Sequence, residues 1–218
     1  MVKESTLKCV EDLIARYPQM AECRSDLQAA VEAICESYRG GHKLIACGNG
    51  GSAADSEHIV GELMKGFLLK REIKGELAEK IRAHCGVDAQ YLIDNLQGAL
   101  PALSMVNQVA LNTAFANDQA PDLSFAQQIL GMGDEGDVLV AISTSGNSTN
   151  VIYALEMAKV KGVKSIGLLG RSGGKIKARN LADINICVPE TETFKIQELH
   201  LPVYHMLCIA VENEFFGD

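Results

Sequence analysis

Short apolar runs alternate along this chain with longer segments of helical periodicity. Leu27, Ala30, Val31 and Ile34 recur at three- and four-residue spacing with acids on the opposite side, which predicts a helix over 22–39. A similar pattern predicts one over 4–16. Gly40-Gly41 ends the second, as glycine does at helix C-termini. Apolar runs at 43–47, 99–104, 137–142, 165–169 and 184–188 predict strands, although Pro101 weighs against the second. Helical patterns at 52–65, 106–116, 123–131, 148–161 and 193–215 separate or follow them, and Gly86 divides 74–97 into two further helices. Strands alternating with helices imply parallel pairing through right-handed crossovers. The expectation is an α/β fold: a doubly wound five-stranded parallel sheet with two leading helices, in one domain spanning 1–218. The order 2-1-3-4-5 is taken from fold-level analogy. It would put the loops after the first and third strands at the point where the winding reverses, where open sheets bind ligands.

Those two loops are Gly48-Asn49-Gly50-Gly51-Ser52 and Ser143-Thr144-Ser145-Gly146-Asn147-Ser148. A strand that ends in small polar residues and turns into a helix makes an anion pocket. Glycines admit backbone N–H groups, hydroxyls donate hydrogen bonds, and the helix N-terminus adds a favourable dipole. Two such loops suggest a phosphorylated ligand held between them. A simpler reading makes Ser52 and Ser148 helix N-caps only, but the number of hydroxyls exceeds what two caps require. Gly48-Asn49-Gly50 also resembles the start of a dinucleotide fingerprint. However, Ala53 holds the third glycine position, and the second strand comes far too late to supply the ribose-binding acid. No phosphate loop of the GxxxxGK[ST] type occurs.

Composition narrows the classes. An apolar fraction of 47% over 218 residues supports a large core, and a net charge of −8 argues against nucleic-acid or membrane-surface binding. Seven scattered cysteines without a CxxC pair fit reduced thiols, with Cys47 and Cys187 expected in the core. The N-terminus has no apolar signal core, and no stretch approaches the roughly 20 apolar residues of a membrane span, so a cytoplasmic location is expected.

The two loops, His58 and Glu62, Asn117-Asp118, and Gln197-Glu198-Leu199-His200 with His205 together resemble the sugar isomerase (SIS) domain. Within that group the chain is most similar to the D-sedoheptulose 7-phosphate isomerases (phosphoheptose isomerases). The matching motifs run from about 45 to 206. His58 and Glu62, four apart on one predicted helix, share a face, and imidazole plus carboxylate is a workable Zn²⁺ pair. On the last helix, His205 and His200 lie about 80° and 60° to either side of Gln197, so rotation alone permits either near a site. The resemblance selects His205.

It implies one Zn²⁺ per subunit held by His58, Glu62, Gln197 and His205, with Glu62 and His205 transferring protons. It implies substrate contacts from Asn49, Gly50, Gly51, Ser52, Glu62, Asn117, Asp118, Ser143, Thr144, Ser145, Ser148 and Gln197. The implied reaction interconverts D-sedoheptulose 7-phosphate and D-glycero-D-manno-heptose 7-phosphate through an enediol, in a homotetramer. Two features depart from the family: a helical insertion near 67–97, and Phe194 where a small or polar residue is expected. The alternatives are an isomerase of another phosphosugar, or a non-catalytic protein-binding factor like the replication-initiator-associating protein. A phosphosugar sensor has less support, because no DNA-binding segment accompanies the motifs.

Overall fold

A computed structural model describes residues 2–217. Its strands are β1 (Leu44–Cys47), β2 (Ala102–Ser104), β3 (Val138–Ser143), β4 (Lys164–Gly170) and β5 (Ile184–Val188). They form one sheet in the order β2-β1-β3-β4-β5, and every pairing is parallel. The expected order is therefore observed. β2 is shorter than its apolar run because Pro101 lies just outside it. The Pro101 carbonyl still accepts from the Leu44 N–H at 3.0 Å and the Tyr38 hydroxyl at 3.2 Å. A proline that cannot donate is tolerated here because β2 is an edge strand.

Strand alternation sorts the core into two layers. Leu44, Ala46, Val138, Val140 and Ile142 face one side. There they pack under α1 (Glu4–Arg16), α2 (Arg24–Arg39), α3 (Gly51–Met64) and the last helix. Ile45, Cys47, Leu139 and Ala141 face the other side, beneath three further helices. In chain order the remaining helices are α4 (Gly75–His84), α5 (Ala89–Asn95), α6 (Val109–Asp118), α7 (Ser124–Met132), α8 (Thr149–Lys161), α9 (Gly174–Ala178) and α10 (Thr193–Phe216). The second layer is built from α7, α8 and α9. β1 and β3 are buried along their whole length, so both read as unbroken apolar runs. Cys47 is buried as expected, whereas Cys187 is only partly buried, because it lies on β5 at the other edge of the sheet.

The leading helices pack within the chain. Glu214 of α10 accepts from the Thr6 hydroxyl at 2.7 Å and from the Lys3 N–H at 2.9 Å, and it pairs with Arg39 of α2. The segment carrying α4 and α5 leaves and rejoins the body at one neck. The Gly98 N–H donates to the Arg71 carbonyl at 2.7 Å, and Glu72 and Gln97 form an antiparallel bridge. α6 buries none of its side chains fully.

Candidate active site

β1 and β3 are adjacent, but the helices that follow them depart to opposite faces, α3 to the first layer and α8 to the second. The crevice this opens lies at the C-terminal edge of the sheet. Both serine-glycine loops border it. Asn49 of the first and Asn150 at the start of α8 exchange two amide hydrogen bonds of 2.9 Å across it.

Within the second loop two hydroxyls serve each other and not the helix end. Ser148 occupies the N-cap position of α8 but makes no capping bond, and its Oγ lies 3.0 Å from that of Ser143. Ser52 falls inside α3, whose N-cap is Gly50. Capping alone thus fails to account for either serine. Ser143 and Ser52 are buried, Thr144 and Ser148 are half-buried, and Ser145 is exposed. Gly146, at φ +64°, packs so tightly on the Gly173 carbonyl that no side chain fits, which fixes the second loop against the start of α9.

α3 and α10 lie side by side in the first layer and bring the distant motifs together. Gln197 reaches the first loop: a Cβ on Gly51 would stand 2.5 Å from its Nε2. The His58 and His205 rings meet edge-to-face with centroids 5.0 Å apart, and Phe67 covers His205 at 5.3 Å. His58 Nε2 is 3.2 Å from Glu62 Oε1, and Lys65 Nζ donates to Glu62 Oε2 at 2.9 Å. Burial raises the Glu62 carboxyl, but Lys65 and His58 outweigh it and leave a net lowering, so Glu62 is a carboxylate near neutral pH. Burial and then His58 lower His205, only partly countered by Glu62, which favours neutral imidazole. The Nε2 of His205 is buried and has no hydrogen-bond partner.

The structure separates the two candidate histidines that rotation left open. His200 is fully buried, and desolvation pushes it down to about 4, so it is a neutral core residue. Asn117 and Asp118, at the exposed end of α6, bond to each other at 2.8 Å and to none of the other candidates. Phe194 points outward and is 56% exposed, with Lys195 over its ring.

Among the described residues, no three His, Cys, Asp or Glu side chains are grouped to hold a metal ion as they stand. His58 and Glu62 are instead paired with one another. The donor set nevertheless fits Zn²⁺ in kind: two imidazoles, a carboxylate and an amide, with one imidazole nitrogen buried and unsatisfied.

Three groups of residues were missed from sequence: Asp55 with Tyr204, Lys65, and Arg71 with Glu212. Asp55 and Tyr204 flank the histidines; Tyr204 Oη lies 3.0 Å from His58 Nδ1. Asp55 shares the α3 face of His58 and Glu62, so the same spacing argument could have found it. Lys65 follows Glu62 at the next turn. The third is the buried Arg71–Glu212 pair at 2.8 Å, whose members are 141 residues apart and carry no local signal.

A doubly wound sheet with two hydroxyl-rich loops at its switch point defines the class of α/β domains that bind ligands at the C-terminal edge of a parallel sheet. The SIS domain model matches residues 10–99 and 84–170. A phosphoheptose isomerase of Geobacter sp. (strain M21) is 38% identical over 190 residues, covering 87% of this chain and 84% of its own. That of Trichlorobacter lovleyi is 35% identical over 96% of this chain and 93% of its own. Two solved phosphoheptose isomerases have the same fold. The one from Francisella tularensis has a TM-score of 0.73 at 28% identity, covering 93% of this chain and 94% of its own. The one from Neisseria gonorrhoeae has a TM-score of 0.66 at 29% identity, covering 93% and 98%. The chain belongs to the SIS-domain family and, within it, to the phosphoheptose isomerases.

Proposed function

We propose that this protein interconverts D-sedoheptulose 7-phosphate and D-glycero-D-manno-heptose 7-phosphate by moving a proton between C1 and C2 through an enediol. The observation that carries the reading is the meeting of the His58–Glu62 pair with His205 beside the phosphate loops. Family membership supports the same chemistry. A module that only bound a protein or a sugar phosphate would have no need of this acid–base set.

The residues divide the work. Asn49, Gly50, Gly51 and Ser52 of the first loop, with Ser143, Thr144, Ser145 and Ser148 of the second, hold the phosphate and so orient the sugar. Glu62, as a carboxylate, removes the proton at the substrate carbon. Neutral His205 handles the complementary transfer at oxygen. Asn117 and Asp118 are assigned to sugar hydroxyls. His58, Glu62, Gln197 and His205 would hold one Zn²⁺. When bound, the metal supplies Lewis-acid polarisation of the carbonyl and charge stabilisation. The working form is proposed to be a cytoplasmic homotetramer.

The deciding experiment incubates the protein with sedoheptulose 7-phosphate and a panel of other ketose phosphates, with zinc and after chelation. Aldose formation from the heptulose, lost on chelation and restored by zinc, is expected. Turnover of another ketose alone would change the substrate, full activity in verified metal-free protein would remove the metal, and no turnover would favour a binding protein.

Glu62→Gln is expected to lower kcat by at least 10²-fold, the scale of a positioned general base, with phosphosugar binding largely retained. Steady-state kinetics and calorimetric titration measure both. Near-normal turnover would take the base role from Glu62.

A further inference from the structure

Four polar groups stand in a row across the seam between α3 and α10: Asp55, Tyr204, His58 and Glu62. The Tyr204 hydroxyl is 3.0 Å from His58 Nδ1, and His58 Nε2 is 3.2 Å from Glu62 Oε1. Tyr204 is 2% exposed. At the far end, Asp55 Oδ2 is buried without a hydrogen-bond partner. Desolvation raises the Asp55 carboxyl, and the facing Tyr204 hydroxyl offsets part of that.

The row holds one hydroxyl proton and one imidazole proton between two carboxylates, so neutral His58 has two arrangements. In the first, His58 Nε2–H donates to Glu62 and the Tyr204 hydroxyl donates to Nδ1, which leaves Asp55 unpaired. In the second, the imidazole proton sits on Nδ1 and is donated to Tyr204, whose hydroxyl turns to Asp55. This frees the Nε2 lone pair. Asp55 Oδ2, buried beside Tyr204 and without a partner, is available to accept in the second arrangement. Only the second presents Nε2 to a cation.

We infer that Tyr204 and Asp55 are positioning residues that reverse the hydrogen bonds of His58 so that its Nε2 can act as a metal donor. The inference rests on the zinc reading above. The imidazole proton moves from Nε2 to Nδ1 and the hydroxyl proton swings from His58 to Asp55, so the row gains and loses no proton. A ligating histidine is held this way when its second nitrogen donates to a fixed acceptor. Tyr204 adjoins His205 on α10, so one helix supplies both a proposed ligand and the support for another.

The test uses full-length protein and zinc itself, with affinity measured by competition against a chromophoric chelator. Tyr204→Phe keeps the ring and removes the relay, and Asp55→Asn removes its acceptor. Each is expected to weaken zinc binding about 10–100-fold, the usual cost of losing such a partner, with the circular dichroism spectrum unchanged. Nitrogen-15 spectra of wild-type His58 are expected to show the Nε2–H tautomer without zinc and Nδ1–H with it. Unchanged affinity in Tyr204→Phe, or one tautomer in both states, overturns the inference. Wild-type protein that binds no zinc overturns it together with the metal assignment. Zinc binding without isomerisation of any ketose phosphate overturns only the proposed reaction.

Discussion

Gly51 is occupied by glycine for a reason that lies on another helix. The space its Cβ would take is filled by the Gln197 Nε2, the end of a flexible side chain and not fixed backbone. Gly51→Ala is therefore expected to leave the fold intact and swing Gln197 out of the crevice. The expected result is a melting temperature close to wild type with weakened zinc binding and lower kcat/KM, matching Gln197→Ala. Thermal melts alongside kinetics separate the outcomes. A large fall in melting temperature would mean that the contact is chiefly a packing one. At this scale the site was partly legible in the sequence. His58 and Glu62 declare themselves by helical spacing, and the serine loops by their composition. Tyr204 does not, because a tyrosine beside a histidine has no meaning until α3 is laid against α10.

Between elements, the Arg71–Glu212 pair holds the end of α3, the neck of the α4–α5 segment and α10 in one place. Glu212 accepts from the N–H groups of Phe67, Leu68 and Leu69 at 2.7–3.0 Å, and Arg71 donates to the Leu63 and Glu62 carbonyls at 2.6 and 3.1 Å. Glu212→Gln keeps the shape but leaves Arg71 as an unneutralised buried charge. The expected loss is about 3–5 kcal/mol of stability at neutral pH, read from urea unfolding. Burial raises the Glu212 carboxyl, but the N–H donors and Arg71 together outweigh it and leave a net lowering from 4.5. A carboxyl lowered on folding contributes stability that is complete above its unfolded value of 4.5 and is lost as pH falls through the folded value. The gap between wild type and Glu212→Gln should accordingly narrow below pH 4.5, and a gap that stays constant into acid would contradict this. The elements themselves were almost all legible, because the switch between period 2 and period 3.6 is strong in a doubly wound sheet. What joins them was not: a pair separated by 141 residues has no sequence signal, and β2 was overextended because Pro101 lies in an apolar run.

For the molecule as a whole, α6 is the element that the chain leaves unfinished. It carries Val109 at 68% and Leu111 at 38% exposure and buries no side chain, although its composition is largely apolar. Leu123 and Leu130, in the segment that follows it, are also exposed. A helix normally gains most of its stability from an apolar face laid against something else, and in α6 that face is only partly covered, at Asn112, Phe115 and Ala116. The leading helices pack inward, with α1 and α2 tied to α10 through Glu214, while the α4–α5 segment also leaves Leu77, Val87 and Tyr91 exposed. The proposed homotetramer would use α6 as an assembly surface, and Asn117 and Asp118 at its C-terminal end would then lie at that interface. Sedimentation at micromolar concentration is expected to give about four chain masses, and the double variant Val109→Asp with Leu111→Asp to give smaller species with lowered activity. A wild-type monomer would refute the tetramer. A double variant that remains tetrameric would place the interface elsewhere and leave α6 an exposed apolar helix, for which a different partner would have to be sought.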